Sequence, residues 1–194
     1  MTHPLQNKMR PWCLRGEVIH GHGRAARDLG FPTANVKLGE AALKSLSPYV
    51  EGAIFGWGYI EPEVPSQGED ISNANLKKTQ IKDAHLGPFP IALSVATNLF
   101  YNDNKLSVEA HFLHEFPEDF YGRIIRIIAL DILRVQTSFD SINGLIKAIE
   151  GDIKQIKAKS KKPEYEKYKE HEFMNPHTQL SQEVLAQLPY FKEI

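Results

Sequence analysis

Apolar positions along the chain recur with two different periods, and the change falls near residue 138. Before it, short apolar runs alternate with turn-forming stretches. CLRGEVI, Cys13 to Ile19, is moderately apolar, ends at a glycine-rich loop and reads as a strand. GAIFGWGYI, residues 52–60, sets Ala53, Phe55, Trp57 and Tyr59 on one face and Ile54, Gly56, Gly58 and Ile60 on the other. That is a strand with an aromatic column, and the glycines opposite it fit the strong coiling or close backbone approach of a barrel. Residues 61–87 turn polar and aperiodic, with Pro62, Pro65 and Gly68, which predicts a long mobile loop. Three more strands come next: FPIALSVATN from Phe89, KLSVEAHFLH from Lys105 and RIIRIIALDIL from Arg123. The last is apolar at nearly every position, as expected of a strand covered on both faces. From Ser138 the spacing becomes helical. Ile142, Leu145, Ile146, Ile149, Ile153 and Ile156 recur at three and four residues behind the capping candidates Ser138 and Asp140. This amphipathic helix must lay its stripe on the strand-rich body before it.

Short strands closed by one helix describe a small antiparallel barrel or sandwich rather than a parallel nucleotide-binding sheet. No G-x-x-x-x-G-K-[ST] loop and no internal repeat occur, and Gly21-His22-Gly23 lacks the strand-to-helix setting of a dinucleotide fingerprint. The 194 residues, 42% hydrophobic and 24% charged, suit one domain able to bury its own core. A formal net charge of -1 leaves no basic footprint for duplex nucleic acid, so any anion must be met locally. The single cysteine, Cys13, excludes an internal disulfide and points to a reducing, cytoplasmic setting. Neither a signal-peptide core nor a run of ~18 apolar residues is present, so no membrane span is expected. KQIKAKSKKPEYEKYKEHE, residues 154–172, alternates in charge and reads as a solvated helix end and tail. His111 and His114, three apart on a strand, face opposite sides, which disfavours a shared metal.

The densest polar stretch is GHGRAARDLGFPTANV, residues 21–36. Gly21 and Gly23 permit positive φ and can turn successive N–H groups into one concavity, while Arg24 and Arg27 add charge for phosphate oxygens. The same residues also fit a solvated hairpin connection. Pro32 stiffens the chain, and Thr33 and Asn35, two apart, can present their side-chain oxygens on one side. A few hard oxygens of that kind suit a Mg²⁺ that takes its remaining ligands from water and phosphate.

Taken together, RGEVIHGHGRAARDLGFPTANV resembles the opening motif of riboflavin kinases, where G-x-V-x-x-G-x-G-R precedes L-G-x-P-T-A-N. GAIFGWG, VEAHFLHEFPEDFYG and LRVQTSFDSINGLIKAIEGDI are similar, in order and type, to the family's aromatic strand, glutamate-histidine motif with acidic-aromatic turn, and arginine with closing helix. The resemblance runs from about Leu14 to Ile153 and stops before Lys161. It implies a closed six-stranded antiparallel Greek-key β-barrel with a C-terminal amphipathic helix. The implied activity is transfer of the ATP γ-phosphate to the ribityl 5′-hydroxyl of riboflavin, giving FMN. Mg²⁺ is the implied metal, with Zn²⁺ or Mn²⁺ as substitutes.

Carried onto this chain, the resemblance assigns Thr33 and Asn35 to the metal and phosphates, and the loop Gly21, Gly23, Arg24, Ala26 and Arg27 to the ATP phosphates. Leu14 and His20 would border the nucleotide, and Phe120, Arg123 and Ile125 would help form the adenine pocket. Arg134 and Gln136 would hold the flavin, and Glu109 matches the catalytic glutamate. Alternation alone would favour Glu109 as a barrel-surface residue, and the resemblance reverses that reading. The chain departs from the family at Ser94 to Leu99, SVATNL, which keeps Asn98 but lacks the usual tryptophan and proline. The Phe55, Trp57, Tyr59 column is expected in the barrel core rather than as a flavin platform. The expected division is an extension at 1–12, barrel plus helix at 13–160 and a tail at 161–194. With about a dozen residues before the barrel, FMN rather than FAD is the expected product. The expected enzyme is a monomer acting on riboflavin and ATP, without nucleic acid or membrane partners. The competing class is a non-catalytic barrel that binds single strands through exposed aromatics and loop arginines.

Overall fold

The computed structural model of the protein describes residues 9–21, 29–49, 51–62, 81–97 and 106–194. The five strands expected from alternation appear as β1 (Trp12–Ile19), β3 (Gly52–Ile60), β4 (Phe89–Thr97), β5 (Leu106–Phe112) and β6 (Ile124–Val135). Two further strands carry no alternation long enough to see in sequence: β2 (Ala34–Val36), inside the polar stretch, and β7 (Tyr190–Glu193). All pairings are antiparallel, in the order β2-β5-β4-β3-β6-β1-β7, and β2 also pairs with β1. That last pairing, Val18 with Val36 and Ile19 with Asn35, closes β1 to β6 into a six-stranded barrel. β7 takes the free edge of the other half of β1, from Trp12 to Arg15.

Ile54 and Ile60 of β3 share one barrel face with Gly56 and Gly58. A Cβ on Gly58 would run into the side chains of Phe112 and Ile91, so the glycine makes room for the lumen's large apolar groups. The aromatic column therefore points outward. Its residues are as buried as core, with Phe55 at 0%, Trp57 at 3% and Tyr59 at 1% exposure, but their cover comes from the C-terminal segment. Trp57 Nε1 donates to the Tyr165 carbonyl at 3.0 Å, and Phe55 meets the Tyr165 ring edge-on at 5.3 Å. The expectation of a solvated helix end and tail over residues 154–172 holds for most of its side chains, which are exposed, and fails at Ile156, which is buried, and at Tyr165 and Tyr168, which pack against the core. Phe173, Met174, Leu180, Val184 and Tyr190 are all buried. Alternation in β3 marks a face to be covered but cannot name a cover more than a hundred residues away.

One charged cluster fastens this cover. Glu61 accepts from Arg15 Nε at 2.7 Å and Nη2 at 3.0 Å, and from Arg126 Nε at 2.8 Å. Arg126 also donates to the Phe173 carbonyl, and Arg15 to that of Gln187, each at 3.4 Å. Burial alone would raise the Glu61 carboxyl, but the two guanidiniums outweigh it and hold it below the ordinary carboxylate range.

After β2 comes α1 (Glu40–Leu46), and after β6 the long helix α2 (Ile142–Lys159), which packs beside β4. Its N-cap is Ser141, whose hydroxyl accepts from Gly144 N at 3.1 Å. Ser138 and Asp140 lie outside the helix, because the first helical residue is Ile142, itself 65% exposed. Of the stripe, Leu145, Ile146, Ile149 and Ile153 are half-buried and Ile156 is 0% exposed. Residues 63–80 of the expected mobile loop lie outside the described residues, as do Asn98 and Leu99 of the SVATNL departure. The end of the 61–87 stretch folds as a 3₁₀ turn, Asp83–His85, followed by buried Leu86. Among the described residues no helix is long and apolar enough to cross a membrane.

Candidate active site

A cleft of about 1070 Å³ opens beside β2 and β5. Its walls are residues 30–34, residues 110–121, Val18 of β1, and Ile153 and Lys157 of α2. One wall is aromatic: Phe116 meets Phe112 at 5.5 Å and Phe120 at 4.8 Å, both at steep angles. His114 continues that wall, stacked on Phe89 at 3.8 Å with its Nε2 2.8 Å from His85 Nδ1. Burial, and then the neighbouring His85, hold His114 below the ordinary histidine range. Residues 30–34 form another part of the wall, and Thr33 is the polar side chain among them.

The register gathers the chemistry. Asn35 pairs with Glu109, Glu109 with Ser94, Ser94 with Ala53 and Ala53 with Arg134. Residues directly opposite in antiparallel strands share a face, so these five form one row across the outside of the barrel. Thr33 Oγ1 donates to Glu109 Oε2 at 3.1 Å. Thr33 lines the cleft, while Glu109, half-buried, sits one hydrogen bond behind it. The donors Thr33 Oγ1, Asn35 Oδ1 and the Glu109 carboxylate are all hard oxygens, a set that fits Mg²⁺ and lacks the thiolate or imidazole that softer metals prefer. Asn35 is also why Gly21 is glycine. A Cβ there would overlap the Asn35 amide, so the requirement is close approach; Gly21 is not among the positive-φ glycines.

At the other end of the row, Arg134 Nε donates to Asp152 Oδ2 of α2 at 2.9 Å, and the guanidinium lies 5.3 Å over the Phe139 ring. Asp152 is 4% exposed, and its desolvation raises its carboxyl above the ordinary range in spite of Arg134. Gln136 comes directly after β6, exposed, with its N–H bound to the Glu51 carbonyl at 2.8 Å.

Of the other expected site residues, Phe120 stands on the cleft wall. His20 is exposed at the rim and stacks on Tyr121 at 3.6 Å. Leu14 and Ile125 are 0% exposed in the core, and buried Arg123 donates to the Glu61 carbonyl at 2.6 Å; none of the three is on the cleft wall. Gly23, Arg24, Ala26 and Arg27 lie outside the described residues. Asp152 touches a site residue without any signal of that in the sequence, and His111 is marked only by its place in the glutamate-histidine motif, which does not say that it reaches Pro32. The spacing of His111 speaks only to metal binding, and Asp152 is one charge inside a helix whose legible feature is its apolar stripe. Among the described residues no group of three or more His, Cys, Asp or Glu side chains that could hold a metal occurs.

The molecule is a closed antiparallel barrel with an oxygen-rich cluster beside an aromatic cleft, and comparison with known proteins gives its class. The riboflavin kinase family model matches residues 8–160. The human riboflavin kinase is 32% identical over 164 residues, covering 84% of this chain and 90% of that protein. The riboflavin kinase of Eremothecium gossypii is 35% identical over 147 residues, covering 71% and 77%. The crystal structure of riboflavin kinase from Trypanosoma brucei superposes with a TM-score of 0.69 at 31% identity, covering 96% of this chain and 95% of that one. The chain belongs to the riboflavin kinase family, and its activity is phosphorylation of riboflavin to FMN. The non-catalytic strand-binding barrel is thereby set aside.

Proposed function

We propose that the phosphoryl donor is ATP, and that the cross-strand row running from Asn35 through Glu109 to Arg134 is the reaction axis. Thr33 and Asn35 hold the metal and its phosphates, Glu109 accepts the proton of the ribityl 5′-hydroxyl, and Arg134 and Gln136 face the flavin. The observation carrying this reading is the position of Glu109 within the row. Its carboxylate is tied to Thr33 on the cleft wall at 3.1 Å and lies three strand spacings from Arg134. At roughly 4.8 Å per strand that separation is about 14 Å, room for an extended ribityl chain between a ring held at one end and a hydroxyl presented at the other. Arg24 and Arg27 are read as phosphate partners on the strength of the loop motif, with His20 and Phe120 on the nucleotide side.

Phosphoryl transfer asks little covalent chemistry of a protein, so position and charge carry most of the rate. Glu109 takes the hydroxyl proton as the 5′-oxygen attacks the γ-phosphorus in line, and ADP leaves. When bound, Mg²⁺ neutralises phosphate charge, and Thr33 and Asn35 are the oxygens of this chain that would hold it. The Thr33 hydroxyl orients the carboxylate before substrate arrives. The enzyme is read as a monomer and as cytoplasmic, the compartment being supported by the buried, free thiol of Cys13.

Purified protein with riboflavin, Mg²⁺ and γ-labelled ATP should give labelled FMN and unlabelled ADP in equal amounts, and EDTA should stop it. FMN formed at an undiminished rate in EDTA, or no label transferred from ATP, would overturn the donor and metal assignment.

A further inference from the structure

β5 does more than carry Glu109. Two residues along the same face, His111 Nδ1 lies 2.8 Å from the Pro32 carbonyl oxygen, and its ring stands edge-on to Phe31 at 5.8 Å. A carbonyl only accepts, so Nδ1 carries the hydrogen and donates it.

The β2–β5 ladder stops at Ala34 opposite Ala110, one step short of setting Thr33 opposite His111. Pro32 has no N–H to extend that ladder, and the free end of its backbone is its carbonyl. The His111 side chain takes that carbonyl in place of a backbone partner. Residues 32–35 are thus tied to β5 by the backbone ladder, by Thr33 Oγ1 to Glu109, and by Pro32 O to His111. The first fixes the strand and the second depends on where Thr33 sits. Of these ties, the third is the one that fixes the chain on the N-terminal side of Thr33.

We infer that His111 is a positioning residue for phosphoryl transfer, which holds the Pro32 carbonyl and thereby keeps Thr33 and Asn35 in register with Glu109. It touches no reacting atom. This role rests on the proposed parts played by Thr33, Asn35 and Glu109, and on a hydrogen bond that those parts do not themselves require.

The test turns on which nitrogen donates. Asn places its amide nitrogen about where histidine Nδ1 sits, whereas Gln places it one bond further, near Nε2. His111→Ala should lower kcat/KM for Mg²⁺-ATP about 10- to 100-fold, the cost of a small misplacement in the site, while riboflavin affinity measured without nucleotide stays as in wild type. His111→Asn should recover to within about threefold of wild type and His111→Gln should not, because only the first can reach Pro32 O. Thermal melting of all three establishes that each is folded, and if His111→Ala is not, the Asn and Gln pair still decides. Wild-type kcat/KM in a folded His111→Ala protein, or equal impairment of the Asn and Gln variants, would reduce His111 to a packing partner of Phe31. Thr33→Ala and Asn35→Ala separate the two levels. If these keep wild-type Mg²⁺-ATP affinity, the site assignment fails; if they lose it and His111→Ala does not, the failure belongs to His111 alone.

Discussion

Asn35 stands directly opposite Glu109 across the β2–β5 ladder, with its amide packed over the α-carbon of Gly21. The start of the glycine-rich loop, the proposed metal oxygen and the proposed base are therefore mechanically one unit. Asn35→Ala should raise KM for Mg²⁺-ATP about 10- to 100-fold, the range for loss of a contact to a charged partner, and leave riboflavin binding nearly unchanged. Gly21→Ala should act in the same direction, because its methyl group displaces that amide. Titrating activity against Mg²⁺ at fixed ATP checks both, and a wild-type titration curve for Asn35→Ala would remove Asn35 from the metal.

Arg134 is held by Asp152, and that pair should govern the flavin end alone. Asp152→Asn leaves the guanidinium, 27% exposed at its side chain, free to swing into water. Riboflavin affinity should fall about tenfold with KM for Mg²⁺-ATP unchanged, as read by quenching of flavin fluorescence. Desolvation already raises the Asp152 carboxyl in spite of Arg134, so the ion pair contributes little to the fold and the variant should melt close to wild type. Loss of nucleotide affinity instead would break the division of the row into two ends.

Much of this architecture is legible from side-chain period. β3, β4 and β5 show a two-residue alternation and α2 a helical repeat over seven residues or more, while β1 and β6 show as apolar runs, because burial recurs along each at the spacing of its element. β2 is not legible: three residues, Ala34–Val36, hold no countable alternation, and their strand character comes from edges offered by β1 and β5. β7 and the buried C-terminal segment escape for a related reason. Tyr165, Phe173 and Met174 are isolated apolar residues in a charged stretch, and their burial is decided by the distant Phe55 and Trp57 face and the Arg15, Glu61, Arg126 cluster. The site obeys the same rule. Thr33, Asn35 and Glu109 can be named from the motifs, but the hydrogen bond joining Thr33 to Glu109 needs the β2–β5 pairing that sequence does not reveal.

The Glu61 cluster sets an acid limit on stability. With its folded value below the unfolded one, Glu61 stabilises the protein above the ordinary carboxylate range, and that contribution is lost as pH falls through the lowered folded value. Glu61→Gln should therefore destabilise the protein at neutral pH by about 3–5 kcal/mol, since two guanidiniums lose their shared carboxylate, and should flatten the acid limb. Urea unfolding at pH 7 and at stepwise lower pH reads both effects. An unchanged midpoint at pH 7 would show that the cluster does not fasten the C-terminal segment.

Glu109, held by Thr33 within the row, is the proposed base. Glu109→Gln keeps the shape and the acceptor oxygen for Thr33 but cannot take a proton. The decisive measurement is the single-turnover rate of FMN formation by Glu109→Gln at saturating riboflavin and Mg²⁺-ATP. The rate should fall about 10²- to 10⁴-fold with both substrates still bound, and a rate within about threefold of wild type would return Glu109 to the barrel surface.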